Sequence, residues 1–421
     1  MLLLNEVASI SQLRDAWESI KRKGKNTPGV DNITLSSFAS NLPKNIKEIS
    51  IELKAKTYCF NAVLQRSIPK PGKSQERHIG LYTIKDKVVQ KSIQISLERK
   101  RRNTASLFPD IYNNVSIGFI SRRKNMDEPL GVRKAIEQIK KNYQDGYPVM
   151  VTADIKDFFD IIPKKQLYGK IIKRLPDAST NWLIKQTLHP LVLKQDRFTG
   201  IIKPIDATEA GVTQGSILAP LYSNIFLSDF DLYLQNNNIR ALRYADDFAF
   251  FTKSELEAKR LLPIISTRLS KYKLFFHPLS SSKRPMFYNF SNFLKWAKYL
   301  GVELQYSKKD TNRYWLVKPT TEKIGNLRSY IISTMQNRSL SFLDRVIQIN
   351  KHFQGWFSTY SYCRCTKRLL GDIFSSVKNI YEDEVCKLFV AKKITASRLS
   401  KDQLIFLGVL SNRVIKSKAH L

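Results

Sequence analysis

Cysteine and acidic residues are both scarce in this chain. Cys59, Cys363, Cys365 and Cys386 are the only cysteines among 421 residues, too few for a disulfide framework in a chain of this size. Cys363 and Cys365 stand one residue apart, the wrong spacing for a zinc knuckle, and YSYCRCTKRLL supplies no nearby histidine downstream. The pattern reads as that of a reduced, cytoplasmic protein with no structural metal. The five histidines are scattered, and His78, His189, His277 and His352 are read as hydrogen-bonded structural residues rather than ligands. No stretch reaches about eighteen uninterrupted apolar residues, so no membrane span is expected. The opening MLLLNEVASI lacks the basic start and long apolar core of a secretion signal. Internal repeats and low-complexity tracts are absent as well.

The shortage of acid leaves 70 Lys and Arg against 36 Asp and Glu, a formal net charge of +34. Such an excess repels itself and is best rationalised by a polyanionic partner. The basic runs IKRKGK (Ile20 to Lys25), ERKRR (Glu98 to Arg102), SRRK (Ser121 to Lys124) and GKIIKR (Gly169 to Arg174) are spread along the chain. Scattering of this kind fits a large binding channel better than a single tail. With no membrane span or signal, nucleic acid is favoured over an anionic membrane. The length is enough for a sizeable core divided between two or three subdomains.

Local pattern places the elements. Leu13, Trp17 and Ile20 recur at helical spacing, and a second helical piece covers roughly Leu35 to Ala55. Ala62 to Ile68 reads as a strand, Pro71-Gly72 as a turn in a basic loop, and a further short strand follows Arg77. A helix is expected from Asp86 to Leu97, a strand from Tyr147 to Ala153 running into Asp154, and a helix opened by Pro163. Ile217 to Leu234 has the length and apolarity of a buried helix. Ser254 and Glu257 have capping-box spacing for another, which Pro263 interrupts. Beyond about residue 317 strand signals fade, and Ile324 to Thr334, Leu340 to Tyr360 and Leu369 to Val390 read as three amphipathic helices. The succession predicts an α+β fold with an antiparallel sheet.

Within LRYADDFAFF, Asp246 and Asp247 lie between large apolar side chains. Aspartate is a common turn former, and two short strands joined by a tight turn would account for the segment without any chemistry. A sheet could, however, bring Asp154 beside Asp246 and Asp247. Three adjacent carboxylates resist ionisation together, and Mg²⁺ between them relieves the repulsion; phosphoryl transfer often uses two such ions roughly 3.5 to 4 Å apart. Paired carboxylates also serve glycoside hydrolysis, but a charge of +34 is poorly matched to neutral sugars. A metal-dependent nuclease would use the same acids. The feature that separates it from a polymerase is a site for an incoming triphosphate. In IPKPGKSQERHIG, Lys70, Lys73 and Arg77 border a turn and could neutralise one.

From about Asn26 to about Tyr362 the chain resembles the reverse transcriptases of the bacterial group II intron lineage. IPKPGKSQERHIGLYTIKDKVVQ, VTADIKDFFDIIP, GVTQGSILAPLYSNIFL, LRYADDFAFF, YLGV and FQGWFSTYSY occur in that family's order. The resemblance implies a right-hand polymerase: an N-terminal and fingers region over 1–145, a palm over 146–316 with an antiparallel sheet and the carboxylates, and an α-helical thumb and short C-terminal region over 317–421. It implies RNA-directed DNA synthesis from dNTPs, passing through an RNA–DNA hybrid to a cDNA product. It makes Asp154, Asp246 and Asp247 the metal-binding acids, with the carbonyl of Ile155 as a further ligand. Mg²⁺ is the implied cofactor, as two ions, and Mn²⁺ a substitute. Phe159 matches the position that packs beneath the sugar and opposes a 2′-hydroxyl; Gln214 and Gly215 match the nucleotide and template side of the pocket. Lys70 and Arg77 match the triphosphate-facing pair, and Lys283 in SSSKRP the palm lysine. Without the motif, Phe159 reads equally well as core, Gln214-Gly215 as a helix entrance, and the lysines and Arg77 as solvated surface charge. Trp356 reads as thumb core.

The chain also departs from the intron pattern. Where intron enzymes have a motif resembling SYGFRPGRS, this sequence has SIGFISRRKNMDEPLGVRKAI, with Ile120 in place of the arginine and an apparent insertion. The residues after the thumb match lack the cysteine and histidine arrangement of an appended zinc endonuclease. In these respects the chain is similar to the free-standing phage-defence reverse transcriptases that work with a structured noncoding RNA as template. An intron maturase is the alternative within the family. A basic RNA-binding protein that has lost synthesis is the alternative outside it, and the intact carboxylates argue against that.

Overall fold

The computed structural model describes residues 2–23, 27–69, 76–99, 106–120, 131–195, 202–206, 208–278, 286–293, 295–309 and 312–363. The chain divides into two compact units, Met1–Phe287 and Tyr288–Leu421.

The first unit opens with helices. Leu13, Trp17 and Ile20 share the buried side of helix Ile10–Lys23, and Trp17 stacks near Phe38 with ring centroids 5.1 Å apart. The expected single helix over Leu35 to Ala55 is two, Leu35–Ser40 and Leu42–Lys54. Asn41 between them leaves the helical region (φ −120°, ψ 30°), and Pro43, in the first turn of the second helix, has no amide hydrogen with which to continue the first. Helix Ile84–Glu98 begins at Thr83, whose hydroxyl accepts from the Asp86 amide at 3.1 Å. Asp86 is itself buried and accepts from the Tyr58 hydroxyl at 2.7 Å and the Asn61 amide at 3.1 Å.

Two sheets follow. Strands β1 (Val63–Pro69), β2 (Glu76–Leu81), β4 (Val192–Gln195) and β5 (Ile202–Ile205) form the order β2-β1-β4-β5. β1 runs antiparallel to β2, with Ile68 opposite Arg77 and Gln65 opposite Gly80, and parallel to β4. The second sheet has the order β6-β7-β3-β8, from β3 (Val149–Asp154), β6 (Ala241–Tyr244), β7 (Asp247–Thr252) and β8 (Met286–Asn289). Helix Ala219–Asn236 is apolar on almost every side and buried to match. Its Phe230 meets the Phe248 ring of β7 edge-on, with centroids 5.7 Å apart.

Ser254 caps helix Glu255–Ser270, accepting from the Glu257 amide at 3.2 Å. Glu257 reaches back to the Lys253 amide at 2.9 Å, one residue beyond the Ser254 amide that a reciprocal capping bond would use. Pro263 does not end this helix. It lies on the exposed side, so the Lys259 carbonyl that loses its donor faces solvent.

The second unit contains an antiparallel meander, β11-β10-β9, from β9 (Ala297–Tyr299), β10 (Val302–Lys309) and β11 (Asn312–Pro319). YLGV forms its first hairpin: Leu300 (φ +49°) and Gly301 (φ +77°) adopt the left-handed pair that a two-residue turn needs. Two of the expected helices follow, Thr321–Gln336 and Phe342–Tyr360, capped by Thr320 and Ser341. The third, over Leu369 to Val390, lies outside the described residues. None of the described helices is long and apolar enough to cross a membrane.

Candidate active site

β3 is buried along Val149 to Ala153 and reaches partial exposure at Asp154. The strand is held past its end by the segment Phe275 to His277. The His277 amide donates to the Asp154 carbonyl at 3.0 Å and the Lys156 amide to the Phe275 carbonyl at 2.9 Å. Across the sheet Asp154 stands directly opposite Asp247, and Asp247 opposite Tyr244. Residues facing each other in an antiparallel pair project from the same face, with Cβ atoms about 4.5 to 5.5 Å apart. Register alone therefore gathers two of the acids.

The third is supplied by the turn. Ala245 takes φ +58°, a left-handed conformation, and Asp246 follows between β6 and β7. The Ile155 amide donates to the Asp246 carbonyl at 3.2 Å, binding the turn to the end of β3. Burial pushes the Asp246 carboxyl up to about 7, and the neighbouring charges of Asp154 and Asp247 push it the same way. A turn formed for connection alone would not set three acids against one another.

This donor set suits a divalent cation. Carboxylates are hard oxygen ligands, and a proton retained on Asp246 is what a cation displaces. Among the described residues no group of three His, Cys, Asp or Glu side chains is arranged to hold a metal ion.

The other expected residues fall into two groups. Phe159 is half-buried on the short helix Phe158–Ile161, its ring 5.3 Å from that of the fully buried Phe158. Its carbonyl accepts from the Val212 amide at 2.7 Å, tying it to the loop that carries Gln214 and Gly215. The Gln214 carbonyl accepts from the Gly80 amide at 2.6 Å. Gly215 has φ +106°, and a Cβ there would lie 2.3 Å from the Gly80 carbonyl oxygen, so glycine is required for the crossing with β2. Arg77 is exposed on that strand. Lys70, Lys73 and Lys283 lie outside the described residues. The Ile155 side chain is buried and its backbone bridges to Phe276. Trp356 is half-buried against Tyr360, ring centroids 4.8 Å apart.

Three residues beside the acid-bearing turn were not anticipated: Arg243, Asp231 and Asn224, all fully buried and joined by hydrogen bonds. Their signal in the sequence is an arginine inside an apolar strand and two polar residues seven apart in an apolar helix.

A family model described as reverse transcriptase (RNA-dependent DNA polymerase) matches residues 68–304, which include all three acids. The chain belongs to this family. Its mixed helices and antiparallel sheets are the α+β, right-hand polymerase fold. The group II intron-encoded protein LtrA of Lactococcus lactis subsp. cremoris is 29% identical over 212 residues, 50% of this chain and 31% of that one. The chain thus spans about a third of that relative's length. Protein YkfC of Escherichia coli (strain K12) is 24% identical over 282 residues, 58% of this chain and 68% of that one. Among solved structures, telomerase from Candida tropicalis with a fragment of telomeric RNA aligns over 90% of this chain and 68% of its own, at 14% identity and TM-score 0.42.

The Asp246 carboxyl predicts a pH signature in the metal-free protein. Its folded pKa of about 7 lies above the ordinary 3.8. Its contribution to stability is therefore fully present below the ordinary value and is lost as pH rises through about 7. Asp246→Asn should be more stable than the unsubstituted protein at pH 8, by on the order of 1–3 kcal/mol and so with a higher melting temperature, and the advantage should vanish near pH 4. Thermal melts across this range in EDTA check it; an equal difference at both ends would show that the carboxyl is not held against its neighbours.

Proposed function

We propose that this protein is an RNA-directed DNA polymerase that copies an RNA template into cDNA. The observation that carries the reading is the register of Asp154 against Asp247, with Asp246 in the adjoining turn, inside the region matched to reverse transcriptases. Asp154, Asp246, Asp247 and the Ile155 carbonyl would hold Mg²⁺, which would activate the primer 3′-hydroxyl and neutralise the triphosphate and leaving pyrophosphate. The bond formed joins the 3′-oxygen to the α-phosphorus, and the bond broken releases pyrophosphate. Phe159 lies under the sugar and leaves no room for a 2′-hydroxyl. Gln214 and Gly215 would line the nucleotide and template side, and by the family resemblance Lys70, Arg77 and Lys283 would bind the phosphates. Fingers, palm and thumb correspond to 1–145, 146–316 and 317–421. The net charge of +34 supports the grip on template and hybrid.

The finer reading is a cytoplasmic antiphage-defence enzyme with a dedicated, structured noncoding RNA as template. It is supported by the departures around Ile120. A second reading, a group II intron-encoded reverse transcriptase and maturase, has the intron-encoded relative in its favour.

With Mg²⁺, dNTPs and a primed RNA template the protein should extend DNA. Asp246→Ala and Asp247→Ala should each lower extension by about a thousandfold or more, while primer-template binding, spread over many basic side chains, largely survives. Extension preserved in both variants would sink the assignment.

Phe159→Ala should raise NTP incorporation relative to dNTP incorporation, measured as the ratio of kcat/KM values, with little change in template affinity. An unaltered ratio would return this ring to a packing role.

Crosslinking RNA to the protein in its native cells, then sequencing that RNA and any attached DNA, separates the two biological readings. Generic phosphate attraction weakens steeply with salt, whereas a shape-matched template should remain bound at salt that strips other RNA. One enriched noncoding RNA with its complementary DNA is expected. A long self-splicing intron would favour the maturase, and a broad mixture without cDNA would favour a binding protein.

A further inference from the structure

Arg243 lies in the four-residue strand β6 and is fully buried. A guanidinium so placed must satisfy its donors within the protein. Nε donates to Asp231 Oδ1 at 2.8 Å, and Nη2 bonds Oδ2 of the same carboxylate. Nη1 donates to Asn224 Oδ1 at 3.0 Å and to the Ala245 carbonyl at 3.2 Å. Asp231 and Asn224 are seven residues apart on helix Ala219–Asn236, about two turns, and so share one face. Asp231 also accepts from the Asn113 side chain at 3.2 Å, and Asn224 donates to the Gly118 carbonyl at 3.0 Å.

The main chain of Arg243 is bracketed as well. Its amide donates to the Val115 carbonyl at 2.8 Å, and its carbonyl accepts from the Ile117 amide at 2.9 Å. Gly118 closes the packing, since a Cβ there would stand 2.9 Å from Tyr244 Cα and 3.0 Å from the Ala245 amide nitrogen. These contacts converge on Ala245, the left-handed residue immediately before Asp246. A buried ion pair is weak evidence for stability, because well-packed apolar residues often replace one without loss. The Nη1 bond to the Ala245 carbonyl has a different consequence: it holds a conformation that side-chain-bearing residues seldom adopt, at the residue that aims the acids.

We propose that Asp231, Arg243 and Asn224 are positioning residues that hold Ala245 in its left-handed conformation, fix Asp246 relative to Asp154, and thereby set the site's affinity for divalent metal. This rests on the polymerase reading above.

The test replaces the ion pair by apolar residues, Asp231→Leu with Arg243→Met, and separately presses on the turn with Gly118→Ala, which leaves the pair intact. Mn²⁺ binding is followed by electron paramagnetic resonance, alongside melting temperature, primer-template affinity and single-turnover extension, with Asp246→Ala in parallel. Expected in the double variant is a melting temperature within a few degrees of the unsubstituted protein, unchanged primer-template affinity, and Mn²⁺ binding and extension each weakened by about tenfold or more. Gly118→Ala should shift Mn²⁺ binding and extension in the same direction. Unchanged Mn²⁺ affinity and extension in a folded variant, while Asp246→Ala is inactive, would overturn the positioning role alone. Full extension by Asp246→Ala would instead overturn the polymerase reading. Failure of both variants to fold would also overturn the proposal, by making the cluster a determinant of the fold.

Discussion

The site depends on one repulsion, that among Asp154, Asp246 and Asp247. Left to themselves three carboxylates would separate or take up protons, and Asp246 shows the pressure in a carboxyl raised to about 7. What resists separation is strand register. Asp154 cannot leave Asp247 without breaking the ladder that pairs Val149 to Asp154 with Thr252 to Asp247. That ladder is anchored by side chains buried on both strands, among them Val151, Phe248 and Phe250. Slipping it by one residue would turn those side chains toward the opposite face. The hydrophobic core thus sustains an arrangement that the acids alone oppose.

Much of this was legible because it follows local rules. Apolar runs ending at Asp154 and flanking Asp246-Asp247 predict strands, and the capping hydroxyl of Ser254 sits where a helix begins. The α+β class followed from the alternation of such signals, and family resemblance supplied the right-hand architecture. Other elements were not foreseen. β4 and β5 are four residues each, and β5 is exposed throughout, so neither carries the alternation of a half-buried strand. The meander from Ala297 to Pro319 mixes charge into its strands. Buried Glu303 reads as a surface residue until Lys298 and Lys318 are seen to approach it at 3.6 and 3.2 Å.

The Arg243 cluster escaped for a related reason. Hydropathy treats an arginine in LRY as an interruption or an exposed position, whereas its partners Asp231 and Asn224 come from another element and Ala245 from the following turn. Only the tertiary structure shows that these polar residues satisfy one another. Removing a single member would leave a buried charge or donor without compensation, commonly a loss of about 3–5 kcal/mol. Such a cluster therefore constrains the sequence strongly while giving no periodic signal.

The same contacts give physical meaning to the departure from the intron-type motif. In SIGFIS the three residues shared with that motif, Ser116, Gly118 and Phe119, are those that meet the acid-bearing hairpin or its supports. Ser116 bridges to Arg243 and bonds Asn224 at 3.4 Å, Gly118 packs on Tyr244, and the Phe119 ring lies 5.4 Å from that of Tyr244. Ile120, where the sequence diverges, lines a cavity of about 790 Å³ together with Phe119, Lys87, Lys91, Ile79 and Gly215. Replacing arginine by isoleucine there removes a cation and five hydrogen-bond donors from the cavity wall, yet leaves the hairpin's supports in place. Divergence at this point can alter what the cavity accepts without disturbing the acids. Phe119 thus belongs to both, packing on Tyr244 of the hairpin and facing the cavity, whereas the substitution falls on its neighbour Ile120, whose side chain is not among the hairpin's supports.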